Sequence, residues 1–146
     1  MSVTTIRKTA TLPYTSGQMY TLVNDIESYP EFLPWCSEAQ VHERYDDRLK
    51  ASLTLKAGKL EHTLMTENSM EEDRLIQVRL IEGPFKHLTG SWHFRDQDDS
   101  RCHITLEMQF EFKNRILKMA LNKTFNKIVN SLVDAFSQRA RELYDN

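Results

Sequence analysis

The sequence predicts an α+β fold in which a curved, seven-stranded antiparallel sheet wraps around a long C-terminal helix. Three observations support this prediction. A β-branched run and a short amphipathic segment come first, runs of about ten residues between polar turns follow, and a segment with helical apolar spacing comes last. A sheet with one apolar face needs a cover, and the C-terminal helix is the largest apolar surface available. The predicted order is therefore one strand, two helices, six strands and one helix.

The chain begins with a predicted strand and a predicted amphipathic helix. Residues 3–12 are rich in β-branched side chains and are followed by Pro13, which indicates a strand that ends there. Thr15 and Gln18 have the spacing of a capping box, so a helix is expected to begin directly after Thr15. Its apolar residues recur at helical spacing: Met19, Leu22, Val23 and Ile26.

A second, very short helix is expected next. Pro30 suits the first turn of a helix, because its missing N–H would have no partner there anyway. Pro34 follows soon afterwards and ends the helix. Such a helix spans about one or two turns.

Six further strands are predicted between Cys36 and Phe112, because five polar segments divide this region into runs of about ten residues. The polar segments are residues 45–48, 57–59, 71–73, 82–84 and 96–100. The strands are expected to pair as a meander of hairpins. The last strand alternates most clearly, with an apolar phase of Cys102, Ile104, Leu106, Met108, Phe110 and Phe112. One face of the sheet is therefore apolar and the other polar.

The segment after Asn114 returns to a helical period. Its apolar residues recur every three or four positions: Leu117, Leu121, Phe125, Ile128, Leu132, Phe136, Ala140 and Leu143. No Gly or Pro interrupts a helix of about thirty residues, which would measure ~45 Å against ~33 Å for a ten-residue strand. The helix is thus long enough to cross the concave face of a twisted sheet.

Composition limits the class of protein. The 146 residues, 40% of them hydrophobic, suit a single domain spanning residues 1–146. The net charge of -2 argues against a surface built throughout for nucleic acid. Cys36 and Cys102 resemble free buried thiols of a reducing compartment. We expect a cytoplasmic protein with at most peripheral contact to a membrane, because neither a signal peptide nor an apolar run of about 20 residues is evident.

Three segments carry a resemblance to a known family. They are VNDIESYPEFLPWC (23–36), EGPFKHLTGSWHF (82–94) and FEFKNRILKMAL (110–121). Together they resemble the coenzyme Q-binding START-like family, and most closely its bacterial ribosome association toxins. The resemblance implies a helix-grip fold with an apolar tunnel between the sheet and the last helix. It also implies ubiquinone as the bound ligand and a role as a quinone carrier or chaperone that supports respiration.

The same resemblance leaves a second function open. Ribosome association toxins are described as binding the large ribosomal subunit and blocking subunit joining, which inhibits the initiation of translation. An antitoxin partner is then conceivable, but the residues do not identify one. Nothing in the residues decides between this function and quinone binding.

The tunnel lining is expected on the apolar phases of the strands, on the last helix and on the loops beside the opening. The predicted ligand-binding residues are Phe32, Leu33, Trp35, Leu53, Leu55, Leu64, Val78, Leu80, Pro84, Phe85, Leu88, Trp92, Leu117, Ala120, Leu121 and Phe125. An isoprenoid quinone suits such a lining, because each buried CH₂ contributes ~0.8 kcal/mol. Other long apolar molecules remain open, since that free energy depends little on the identity of the ligand.

No catalytic constellation is evident in the sequence. A nucleophile with a base, paired carboxylates or a set of metal ligands would be needed, and none has usable spacing. His93 and His103 alternate with apolar residues and should face away from the tunnel, so only His62 could point inward. We therefore expect a binding protein without enzymatic activity, without a metal and with no cofactor requirement.

The last helix begins with a basic run. Its cations are Lys113, Arg115, Lys118, Lys123 and Lys127, and no acidic residue follows until Asp134. Three interpretations are open: a solvated helix face, a site for anionic lipid headgroups, and a contact with ribosomal RNA phosphates. The last two both predict binding that weakens with salt.

Overall fold

The computed structural model describes residues 3–145 of the chain. In chain order the elements are β1 (Thr4–Leu12), α1 (Ser16–Asn24), a 3₁₀ helix (Ile26–Glu31), β2 (Cys36–Arg44), β3 (Arg48–Ala57), β4 (Leu60–Glu71), β5 (Leu75–Glu82), β6 (Phe85–Asp96), β7 (Cys102–Phe112) and α2 (Arg115–Tyr144). This is the element order that the sequence predicts. All five predicted polar segments form turns between strands.

The strands form one antiparallel sheet with the order β1-β7-β6-β5-β4-β3-β2. From β2 to β7 each strand pairs with the next along the chain, so the predicted meander is confirmed. β1 returns to the far edge and pairs with β7, from Thr4 opposite Phe110 to Leu12 opposite Cys102. The apolar phase predicted for β7 is buried throughout, and the face that carries it is the face covered by α2.

The capping box at the start of α1 forms as predicted. Thr15 Oγ1 accepts a hydrogen bond from the Gln18 backbone N–H at 3.1 Å, and Gln18 Oε1 accepts one from the Thr15 N–H at 2.9 Å. These two bonds satisfy backbone donors that the first turn of a helix otherwise leaves without partners.

The second predicted helix differs from the expectation. It is a 3₁₀ helix that begins at Ile26 and ends at Glu31, so Pro30 lies near its end rather than in its first turn, and Pro34 lies beyond it. The cause is Asp25, whose ψ of 68° leaves the helical region, so that α1 ends at Asn24. Ile26 is still buried, now as the first residue of the 3₁₀ helix.

α2 is a continuous helix of 30 residues, and the Asn114 side chain caps its first turn by accepting a hydrogen bond from the Leu117 N–H at 2.8 Å. The predicted apolar stripe is buried from Phe125 to Ala140. Leu143, the last residue of the predicted stripe, is 45% exposed, so the prediction was wrong there. Tyr144 packs at the helix end instead, with its ring centroid 5.7 Å from that of Tyr14.

Candidate ligand cavity and basic surfaces

A cavity of about 100 Å³ lies between the concave face of the sheet and the C-terminal half of α2. Among the residues predicted to bind a ligand, those lining it are Trp35, Leu53, Leu55, Leu64, Val78, Leu88, Trp92 and Phe125. Residues that complete the lining are Ile26, Tyr29, Ala51, Thr66, Asn68, Met108, Ile128, Val129, Leu132 and Phe136. The wall is almost entirely apolar, because most of it comes from inward-facing residues of β3 to β7 and from the buried stripe of α2.

The volume of this cavity limits what it can hold. At about 100 Å³ it is smaller than a ~150 Å³ cavity known to hold benzene. The structure therefore has a compact cavity in place of the expected tunnel. A ring with a long isoprenoid tail fits only if the helix and the sheet move apart.

A smaller cleft of about 20 Å³ adjoins the cavity near the β3–β4 turn. The two spaces share Leu55, Phe125 and Ile128 in their linings. The predicted residues Pro84, Phe85 and Leu121 line the cleft rather than the cavity, and so does His62. The three shared side chains thus stand between the cavity and the least tightly packed part of α2.

The remaining predicted ligand-binding residues line neither space. Phe32 packs its ring against the rings of Tyr29 and Phe136, and Leu33 is fully buried in the core at 1% exposure. Leu80 is half-buried and Ala120 is exposed. Leu117 lines a separate shallow depression beside Lys113. Ala120 does not face the sheet, because it lies five positions before Phe125 and so falls off the helical stripe.

The sequence analysis missed two polar residues of the cavity wall, Thr66 and Asn68. Both are 6% exposed, and Thr66 Oγ1 donates a hydrogen bond to Asn68 Oδ1 at 3.1 Å. They lie on β4 in the same phase as Leu64. Extending the alternation of that strand by two and four residues beyond Leu64 would have found them.

Burial keeps three ionisable groups of the core in their neutral forms. Burial raises the pKa of the Tyr29 hydroxyl, which donates a hydrogen bond to the Val23 carbonyl. Burial likewise raises the pKa of the Cys36 and Cys102 thiols to about 11 each. Across residues 3–145, no group of three His, Cys, Asp or Glu side chains is placed to hold a metal ion. No helix in the same range is long and apolar enough to cross a bilayer.

The predicted basic run lies on the first half of α2 and in the turn before it. We call Lys113, Arg115, Lys118, Lys123 and Lys127 the basic end of α2. Within residues 3–145 none of these five side chains forms a salt bridge. The same segment exposes two large apolar side chains, Ile116 at 79% and Met119 at 80%.

A second basic surface lies on the outer face of the sheet. Arg7, Arg74, Arg95, His93 and His103 line a groove there, which we call the outer groove. Its members come from distant parts of the chain and meet through the register of β1, β7 and β6, in which Arg95 lies opposite His103. Both His93 and His103 face this side of the sheet, away from the cavity.

The geometry of sheet, helix and cavity has known counterparts. The family profile described as "Polyketide cyclase / dehydrase and lipid transport" matches residues 12–137. The chain belongs to this family. Its fold agrees with the crystal structure of the Zhui aromatase/cyclase from Streptomyces sp. R1128, with a TM-score of 0.85 at 15% identity over 97% of this chain and 96% of that one. The helix-grip architecture expected from the sequence is therefore confirmed.

Two curated relatives confirm the resemblance noted in the sequence. The ribosome association toxin RatA of Pseudomonas aeruginosa is 40% identical over 141 residues, which cover 97% of this chain and 98% of that protein. The mitochondrial coenzyme Q-binding protein COQ10 of Dictyostelium discoideum is 23% identical and is covered over 71% of its length. These relatives carry names of a toxin and a binding protein, whereas Zhui is an enzyme, so the fold alone does not decide for or against catalysis.

Proposed function

We propose that this chain associates with the large ribosomal subunit and inhibits translation initiation by blocking subunit joining. The observation that carries the proposal is the 40% identity to a ribosome association toxin over nearly the full length of both chains. The basic end of α2 supplies a surface of the right chemistry, because RNA is bound chiefly through its phosphates by Lys and Arg.

The placement of these cations supports a role in binding rather than in folding. The N-terminus of a helix carries a partial positive charge, so cations in its first turn are unfavourable by about 0.3–1 kcal/mol each. The first turn of α2 contains Arg115 and Lys118 and no acidic residue. These side chains thus oppose the stability of the helix while remaining free for an external anion.

Sedimentation through a sucrose gradient tests this proposal. We expect the protein to sediment with large subunits and its overexpression to deplete assembled ribosomes. The variant Lys118→Glu/Lys123→Glu should lose both effects. A matched control, Arg44→Glu/Arg141→Glu, makes the same change in charge at exposed positions outside the basic end and should retain both. Absence of co-sedimentation by the unaltered protein at low salt would refute the proposal.

A second candidate function is supported by the cavity: storage or delivery of an apolar ligand, with an isoprenoid quinone as the first choice. The apolar wall between the sheet and α2 and the likeness to a coenzyme Q-binding protein favour it. In this role the protein binds without catalysis and requires no cofactor. A quinone tail would enter where the first half of α2 packs loosely, past Phe125 and Leu121.

Mass spectrometry of an organic extract of the purified protein tests this second function, together with titration of a short-tail quinone. We expect a retained quinone and saturable uptake. The absence of both a retained quinone and saturable uptake would contradict this function. Vesicles that contain anionic lipid form a further arm of the test, because a carrier that works at the inner membrane could use the basic end of α2 to dock there. Vesicle binding lost in Lys118→Glu/Lys123→Glu, with co-sedimentation intact, would assign that surface to lipid instead of RNA.

A further inference from the structure

The polar pair Thr66 and Asn68 lies in a cavity wall whose other described residues are apolar or aromatic. β4 presents Leu64, Thr66 and Asn68 to it in succession, and Asn68 stands opposite Leu49 and Val78 on the neighbouring strands. Buried polar side chains cost free energy unless they find partners. The pair therefore needs an explanation that packing alone does not supply.

The hydrogen bonds of the pair leave one group open. Thr66 Oγ1 donates to Asn68 Oδ1, which fixes the orientation of the side-chain amide. Among the hydrogen bonds of residues 3–145, the Asn68 side chain takes part in this one alone and donates none through Nδ2, although the residue is only 6% exposed and lines the cavity. Tyr29, another polar residue of the wall, already uses its hydroxyl on the Val23 carbonyl.

We propose that Asn68 Nδ2 donates a hydrogen bond to a carbonyl oxygen of the bound ligand, so that the cavity selects apolar molecules with a ketone-type or quinone-type carbonyl over hydrocarbons of the same shape. The inference rests on the second candidate function, binding of an apolar ligand. Thr66 acts as the positioning residue, because its hydroxyl holds Oδ1 and turns Nδ2 toward the ligand.

Two small probes isolate this hydrogen bond. Cyclopentanone and methylenecyclopentane differ only in an oxygen atom against a CH₂ group, and both are small, compact rings. The flexible Met108 side chain can adjust to either one. Their dissociation constants are measured by NMR titration on the unaltered protein and on Asn68→Leu, which keeps a similar side-chain volume. Comparing the ratio of the two constants between the proteins cancels differences in hydration and in cavity volume.

We expect the ratio of the ketone constant to the alkene constant to rise about tenfold in Asn68→Leu, the change that ~1.4 kcal/mol makes. Thr66→Val should raise it by a smaller factor. In the unaltered protein, the Asn68 side-chain amide protons should shift downfield with cyclopentanone and not with methylenecyclopentane. This last signal needs no variant, so the proposal stays testable if Asn68→Leu does not fold.

The remaining outcomes separate the inference from the function beneath it. One outcome is that both probes bind, while the ratio is unchanged in the variant and the amide protons do not shift. This outcome would refute the role of Asn68 and leave the cavity as a binding site. If neither probe binds up to its solubility limit and no short-tail quinone is taken up, the apolar-ligand function is itself refuted.

Discussion

The N-terminal and C-terminal parts of α2 differ in burial and in charge. Residues 125–140 provide the buried stripe that roofs the cavity, whereas no residue of 115–124 is buried. Residues 115–124 instead carry Arg115, Lys118 and Lys123 of the basic end of α2, with Ile116 and Met119 exposed between these cations. One helix thus serves the core with its C-terminal half and the surrounding solution with its N-terminal half. Substitutions in the two halves should therefore separate stability from binding.

The largest expected effect lies in the C-terminal half, at Phe136. Its ring lies 5.3 Å from the ring centroids of Tyr29, Phe32 and Trp92, and the residue is 1% exposed. Phe136→Ala should lower the free energy of unfolding by about 3–5 kcal/mol, because it removes buried apolar area and leaves a void. Urea denaturation followed by circular dichroism measures this change. A loss below about 1 kcal/mol would mean that the roof of the cavity repacks readily.

The next effect lies at the start of α2, where the Asn114 side chain caps the helix shortly after β7 ends. Asn114→Ala removes the bond to the Leu117 N–H and should cost about 1 kcal/mol. Asn114→Asp is the matched control, because it keeps the acceptor and places a negative charge at the helix N-terminus. If Asn114→Ala unfolds no more easily than Asn114→Asp, the first turn of α2 does not depend on its cap.

Some features of the fold could be predicted from the sequence and others could not, depending on the physical cause of each. The buried face of β7 follows from strict alternation and was predicted residue by residue. The period of α2 predicted its buried residues Phe125, Ile128, Leu132, Phe136 and Ala140. The boundary at Asp25 was not, because a single backbone dihedral ended α1 and the two prolines suggested a later break. The prediction that Leu143 ends the buried stripe was also wrong, because Tyr144 packs at the helix end against Tyr14, which is distant in the sequence.

The features of the candidate site, too, were only partly predictable from the sequence. Inward phases of β3 to β6 placed Leu53, Leu64 and Trp92 at the cavity, and the same reasoning applied to β4 would have added Asn68. The cavity volume had no signal in the sequence, because it depends on how closely two layers pack. The outer groove had none either, since Arg7 and Arg95 become neighbours only through strand register.

A smaller effect is expected at Arg115, where a substitution should increase stability and weaken binding to ribosomes. Arg115→Glu replaces a cation by an anion in the first turn of α2 and should raise the free energy of unfolding by about 0.3–1 kcal/mol. The same change should weaken co-sedimentation with ribosomes and make it less dependent on salt, because one phosphate contact is lost. Arg115→Gln should lie between the two proteins in both measurements. A destabilised Arg115→Glu would show that this cation supports the helix after all.

The smallest expected effect on stability lies at the exposed apolar pair. Ile116→Ala/Met119→Ala should change the free energy of unfolding by less than about 0.5 kcal/mol, because both side chains are almost fully exposed and Ala favours a helix. Binding to RNA through phosphates should be unaffected, whereas docking on a lipid surface should weaken, since both side chains would enter the headgroup region. Denaturation, ribosome co-sedimentation and binding to anionic vesicles are measured on the same preparation. Reduced co-sedimentation with unchanged stability would show that the ribosomal contact is apolar as well as basic, which would extend the binding surface beyond the five cations.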